Sequence, residues 1–407
     1  MTKKAKKKSA KKAAPAAPAA GTALKEKSTI IALVIAAAVF FAALYGIYSD
    51  DILHGEQEMF SPYGDELVEF EKATVTEIPY ENMEIDEAAD GAYAGEQDLI
   101  VLIKSGQYKG ETMEVDCFFS PLTGVPVEVG DSVTITIKTR GDGTRYASVY
   151  EYNRIPLLAV FLLLFFLVII VIGGRTGLKS LIGLVFTVIC LFALLIPLLL
   201  KGAPNIPTTF LMCVYIAFVC FTILGGVHRK SMSAFLGTAA GAFFAMVLGI
   251  VVQSLGKING LRLEDAEPLL QLKYAGASVE VQGLLVASII ICALGAVMDV
   301  AMSISSALEE VHAANPSLSR RDLFRSGMNI GRDMVGTMTN TLILAFLGSE
   351  FTLMIFLYAR GLSFYQLFST AFVSLETISG LSSSLGMILA IPLTALISSA
   401  LITRKRI

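Results

Sequence analysis

Apolar runs of about twenty residues recur along the chain, at 29–48, 155–173, 180–200, 207–227, 233–253, 282–304 and 334–358, with a further one at 384–403. A bilayer core is crossed by about 20 mostly apolar residues in a helix, so each run predicts a transmembrane helix. A stretch at 362–380 is apolar enough to enter a membrane but carries Glu376. Counted as a ninth span, it would throw the closing Arg404-Lys405-Arg406 to the outside, so a re-entrant or interfacial helix leading into the last span is expected. Between residues 50 and 152 the pattern changes to alternation, with candidate strands at 72–78, 98–104, 111–119, 131–139 and 145–152 separated by Gly, Pro and Asp clusters. Alternating β-branched residues bounded by such turns read as antiparallel strands. Five short strands suit a small barrel, an OB-like one being a form it could take.

The expected fold is therefore a polytopic α-helical membrane protein of about eight transmembrane helices. A small all-β extracytoplasmic domain is expected between helices 1 and 2. Residues 1–28 form a Lys/Ala/Pro-rich tail with nothing to bury, read as disordered. Residues 29–48 are a first helix that acts as an uncleaved signal anchor. Residues 50–152 are the acidic β domain, and residues 153–407 a bundle of about seven helices.

Composition agrees: the 407-residue chain is 54% hydrophobic and 16% charged, against about a quarter charged in soluble domains. The charge is segregated. Nine lysines lie in residues 1–27, and residues 50–152 hold 23 acids and six bases, a net of −17. With the tail inside, Arg175, Lys179, Arg229, Lys230, Arg320, Arg321, Arg325, Arg332 and the basic terminus also fall inside, 20 of 32 basic residues. That is the positive-inside pattern, with both termini cytoplasmic. The tail then reads as an orientation determinant touching anionic lipid, not as a nucleic-acid arm.

Ionisable residues inside a bilayer are candidates for function. On the sixth span Ser288, Cys292, Gly295, Asp299, Ser303, Ser306 and Glu310 recur at steps of three and four, which keeps them on one helix face. Everything on that face is small or polar, so it must face another helix or water. Thr337, Asn340 and Thr341 form a polar patch on the seventh span, with Asp333 nearly in line and Arg332 beside it. These residues outline a polar pathway between spans six and seven, with Asp299 as its cation- or proton-responsive group. Helix–helix packing is the plainer reading for the serines and threonines. Glu350 lies about 15 Å and about 80° from Asn340 on an ideal helix, and need not share a cavity with it. Gly237 and Gly241 make a GxxxG packing motif, and Pro197 and Pro392 read as kinks.

Metal and nucleophile chemistry find little support. Four of the five cysteines fall in apolar runs and Cys117 stands alone, so no disulfide framework is expected. His54, His228 and His312 have no ligand spacing. No cofactor is expected, and no Walker motif or pair of facing membrane aspartates suggests an enzyme. Ser319 and Asp322 match a helix capping box that opens a basic amphipathic helix at 319–332. Such a helix rests on headgroups or docks a cytosolic partner.

The run GMNIGRDMVGTMTNTLILAFLGS at 327–349 resembles the YibE/F-like family, as do MDVAMSIS at 298–305, GLKSLIGLVFT at 177–187 and SLGMILAIPLTALI at 384–397. The resemblance implies a multi-pass bacterial membrane protein with a loosely defined permease or transporter role. It marks Asp299, Ser303, Arg332, Asp333, Thr337, Asn340 and Thr341 as recurring polar positions, and leaves Glu350 outside them. The segment around Glu376 resembles the family's last re-entrant stretch. There a basic residue is expected a few positions on, where this chain has Ser379.

The leading expectation is a permease or channel for a small solute or ion in the bacterial cell membrane. A membrane-anchored sensor or scaffold is one alternative. An ABC-type permease subunit with a cytosolic ATPase partner is another. The substrate and the oligomeric state are left open.

Overall fold

The computed structural model describes residues 20–54, 67–140, 143–258, 266–274 and 278–403. The lysine-rich stretch before residue 20 and the basic C-terminal residues lie outside them. The structure is mostly helical, with several long apolar helices and one small five-stranded barrel. It divides into two compact units, Gln57–Gly173 and the remainder.

The barrel is built from β1 (Leu67–Asp86), β2 (Ala92–Ile103), β3 (Thr112–Phe119), β4 (Ser132–Thr139) and β5 (Arg145–Tyr152). The strands close in the order β1-β2-β3-β5-β4, all antiparallel except β3 with β5. Period-two alternation sends every second side chain inward, as a pleated strand requires. Leu99, Val101 and Ile103, then Val115, Cys117 and Phe119, then Val133, Ile135 and Ile137 fill the interior. β1 is far longer than its alternating segment at 72–78. Its first half pairs with β4 and its second half with β2, and the pairing slips between Glu77 and Tyr80. Pro79 falls in that slip, where a residue without an N–H is tolerated. The loop at Val127 is pinned by Gln97, whose Nε2 donates to the Val127 carbonyl at 3.1 Å while its Oε1 accepts from Val127 N at 2.9 Å.

The helices are α1 (Ala20–His54), α2 (Ile155–Ile189), α3 (Ile196–Leu200), α4 (Asn205–Gly225), α5 (Arg229–Leu255), α6 (Ala266–Tyr274), α7 (Leu284–Ala314), α8 (Arg320–Ser349), α9 (Phe351–Ala359), α10 (Phe364–Ser369) and α11 (Ala371–Thr403). Among the described residues six helical stretches are long and apolar enough to cross a membrane, or seven if α8 and α9 count as one broken span. They mark the chain as a membrane protein.

Three expected spans take a different form. The runs at 155–173 and 180–200 join in one apolar stretch of 46 residues, Ile155–Leu200. It breaks at Gly174, whose φ of 54° and ψ of −132° no α-helix contains. It also carries a π-helical turn at Cys190–Leu195 just before Pro197. The span expected at 334–358 is not a single helix, because α8 and α9 meet at Glu350 with a bend of 64°. The stretch at 362–380 is not one element either: α10 takes its first part, and α11 begins at Ala371, well before the apolar run at 384.

α7 is the hub of the helical unit. On one flank it packs with α4, α5 and the π-helical turn around Val286, Ile290, Leu294 and Ala301. On another it packs with α5, α8 and α11 around Ile289, Val297, Ile304 and Leu308. Small residues let these helices approach closely. A Cβ at Gly241 of α5 would stand 2.7 Å from both Ala390 Cβ and Val297 Cγ1, and one at Gly237 2.2 Å from Thr394 Oγ1. The GxxxG pair is thus the seat of α11 on α5. α1 docks through backbone carbonyls: Tyr215 Oη donates to Ala36 O at 2.8 Å, and Lys201 Nζ to Ile47 O.

Candidate functional site

The spacing that predicted a polar stripe corresponds to a real face of α7. Ser288, Cys292, Gly295, Asp299, Ser303 and Glu310 are exposed and Ser306 half-buried, while the flanks between them are closed by neighbouring helices. A Cβ at Gly295 would meet nothing within 4 Å. The stripe is therefore the open side of the most enclosed helix in the bundle. Two charged residues reach it from other elements. Lys230, at the start of α5, donates from Nζ to Ser306 Oγ at 2.6 Å. Glu376, near the start of α11, lies close enough to Cys292 to interact with it electrostatically. Neither is legible from helical periodicity, since each comes from a different helix, and Lys230 reads in sequence only as an orientation charge.

α8 also has an open polar face. Arg332, Asp333, Thr337, Asn340 and Thr341 are all exposed. The two threonines satisfy their hydroxyls on their own helix, Thr337 on Met334 O at 3.2 Å and Thr341 on Thr337 O at 2.9 Å. The structure does not press the two polar faces together. α7 and α8 touch through Leu308 against Gly327 and Ile304 against Gly331. Ile304 follows Asp299 by five residues and Leu308 by nine, about 140° and 180° round the helix at 100° per residue. Asn340 follows Gly331 by nine, again about 180°. Each polar face thus points away from the contact that joins the two helices.

Glu350 and Glu376 are brought to one place. Both line a cavity of 980 Å³ between the end of α8, α9, α10 and the start of α11. The bend of 64° at Glu350 turns α9 away from the line of α8, and the cavity lies between them and the start of α11. Ser379, where the resemblance led to a basic residue, is buried. No group of three or more metal-ligating side chains occurs among the described residues.

The basic segment at 319–332 opens α8 with the expected capping box. Asp322 N donates to Ser319 Oγ at 3.2 Å, and Ser319 N to Asp322 Oδ2 at 3.3 Å. Its apolar side is anchored by fully buried Leu323, and Arg320, Arg321 and Arg325 stay exposed.

No curated protein and no solved structure matches the chain. The family model described as YibE/F-like protein matches residues 161–404, which takes in every helix of the polar faces and of the cavity. The chain belongs to the YibE/F-like family.

Proposed function

We propose that the protein is a membrane permease or channel for a small solute or ion, with the open face of α7 as one wall of its pathway. The observation that carries this reading is the setting of Asp299. It sits midway along a polar strip on a helix whose other sides are sealed by apolar packing. A carboxylate at membrane depth is costly against lipid, so such a face is stable only beside water or a further protein surface. Lys230 at one end and Glu376 at the other give the strip charged ends. The exposed Thr337, Asn340 and Thr341 of α8 would serve a separate wall, reached by a different aqueous opening or by a second copy of the chain.

The accompanying topology has eight crossings. Five of the long apolar stretches cross once, Ile155–Leu200 crosses twice around Gly174, and α8 with α9 forms a broken span. Both termini then lie in the cytoplasm, and the barrel, whose strand order we read as OB-like, faces outward.

Proteoliposomes under an imposed proton gradient test the reading, with a panel of cations and small solutes. Cys292 supplies a natural probe, because it is the exposed cysteine of the set and lies on the strip. Wild-type flux should be lost in Asp299→Asn. It should also be blocked by a positively charged methanethiosulfonate reagent, and spared in Cys292→Ser. A flux indifferent to both changes would exclude the α7 face as its route.

A further inference from the structure

The barrel has a face whose chemistry its net charge does not foretell. Residues 50–152 carry a net of −17, and acids crowd the outer side of β2 and β3. There Asp98 stands directly opposite Asp116, with Glu96 and Glu114 beside them. The outer side of β1, β4 and β5 is different. Ala73, Ile135, Ile137 and Ala147 point into the barrel, so the alternate positions point out. Phe70 of β1, Thr136 of β4 and Ser148 of β5 lie in one row across the three strands, and Lys138 pairs with Tyr146 in the next. Lys72 and Arg140 are exposed at the two ends of this face. On the same stretches Glu69 and Glu71 turn to the other side, where Gln107 and Ser105 hold them. Glu151 is bonded to Arg154 at 2.8 Å.

The rings form a platform. β1 and β5 flank β4, which sets them about 10 Å apart at the usual strand spacing. The Phe70 and Tyr150 ring centroids are nevertheless 5.2 Å apart, edge to face. The two side chains therefore lean together above β4, and Thr136 is buried there. Phe70, Tyr146 and Tyr150 remain 47%, 53% and 57% exposed, so the platform keeps an open surface. The Arg140 guanidinium lies 6.0 Å over the Tyr146 ring.

We propose that this face binds a uronate polysaccharide, a sugar chain whose rings bear carboxylates. A pyranose ring has an apolar C–H face and a rim of hydroxyls. It lies against an aromatic ring while its rim bonds to tyrosine and serine hydroxyls. In a uronate the charge sits on the sugar ring itself, which matches a face where Arg140 and Lys138 stand beside the Tyr146 ring. Lys72 supplies positive charge at the far end, and the acidic side of β2 and β3 repels the same chain. A neutral sugar would leave the bases unused. A single strand of nucleic acid uses rings and bases together, and the outward-facing barrel favours the saccharide. Only that choice rests on the topology proposed above, which labelling of a cysteine at Thr112 tests separately. The inference holds whether or not the chain moves a solute.

The test is equilibrium binding to the purified full chain in nanodiscs of zwitterionic lipid. A fluorescent oligomer of galacturonic acid is the probe, and a neutral maltose oligomer and an oligothymidylate of equal length are its counterparts. Saturable binding of the uronate is expected, roughly tenfold or more tighter than either counterpart. The double variants Tyr146→Ala with Tyr150→Ala, and Lys72→Gln with Arg140→Gln, should each weaken it roughly tenfold or more, the scale of losing a stacking ring. Phe118→Ala, which removes an exposed ring from the side of β2 and β3, should leave it unchanged. The proposal is overturned if the wild type has no saturable uronate site, or if either counterpart binds as tightly. It is equally overturned if either double variant keeps wild-type affinity, or if Phe118→Ala loses as much as they do. Cosedimentation of wild-type nanodiscs with phosphatidylglycerol vesicles, lost in the tyrosine variant, would assign the face to a lipid surface instead. All comparisons are made on protein that elutes as the wild type does. The Lys72, Arg140 variant leaves every ring in place, so it keeps the test decisive if the tyrosine variant misfolds.

Discussion

Cys117 sits in the barrel interior, where its thiol donates to the Val125 carbonyl at 3.4 Å and burial pushes its pKa up to about 11. A thiol in the unfolded chain ionises near 9.0. Between those values the unfolded chain sheds a proton that the folded barrel keeps, so the stability tied to this residue is intact below pH 9 and is lost as pH rises through 11. Tyr152, raised by burial and by the nearby Asp131 carboxylate, adds to the same alkaline slope. Barrel melting followed from pH 8 to 11 should therefore fall more steeply in the wild type than in Cys117→Val. Equal slopes would show that the thiol is not the titrating group. At this scale the sequence was a good guide to what lies on one helix and a poor one to what meets it. Asp299 and its strip follow from spacing, because a period of 3.6 fixes azimuth along a single element. Lys230 against Ser306 and Glu376 beside Cys292 depend on how separate helices are set, which no local pattern encodes.

Elements in this molecule are held by close helix contact, and that makes certain glycines decisive. A Cβ on Gly331 of α8 would stand 2.1 Å from Ile391 Cγ2 on α11. Gly331→Leu should thus force the helices apart and lower stability by roughly 1–3 kcal/mol, the usual cost of overpacking. Shortening the partner, in Gly331→Leu with Ile391→Ala, should recover a good part of it. Thermal melting in detergent measures both, and a double variant no better than the single would place the damage elsewhere. The same small-residue packing lets α11 begin at Ala371, well before the apolar run at 384–403. Ser379, Ser382, Ser383 and Ser384 read as polar in a hydropathy window, yet all four are buried, and Ser383 Oγ donates to Ile289 O at 3.3 Å. Serines that bond backbone carbonyls behave as small packing residues inside a bundle. Strands β2 to β5 were legible to within a residue or two at most ends except the start of β2, because alternation with one buried face is a strong signal. β1 was not, since the bulge around Pro79 breaks the alternation halfway along it. The bend at Glu350 had no signal but the acid itself, lodged within an apolar run.

For the whole molecule the proposed topology turns on two crossings of the bilayer by Ile155–Leu200. Its 46 residues would extend about 69 Å as a straight helix at 1.5 Å per residue, more than twice the roughly 30 Å of a hydrocarbon core. A single tilted crossing would leave much of that length outside the hydrocarbon core, because tilts rarely exceed about 40°. The chain meanwhile leaves helical geometry at Gly174, and Arg175 and Lys179 follow at once. Backbone of this kind is unfavourable against lipid, where every polar group must be satisfied internally. The topology proposed above accounts for both facts by setting Gly174 at an aqueous surface, which the two basic residues would make the cytoplasmic one. A cysteine at Thr176, in a background cleared of the five native cysteines, should then react with an impermeant maleimide in inside-out vesicles and not in right-side-out ones. A cysteine at Thr112, in the barrel, should do the reverse. Labelling of Thr176→Cys from the outer side would invert the orientation of the whole bundle. Failure to label it from either side would bury the break in the membrane and reduce the stretch to one crossing, leaving an odd number of spans and the termini on opposite faces.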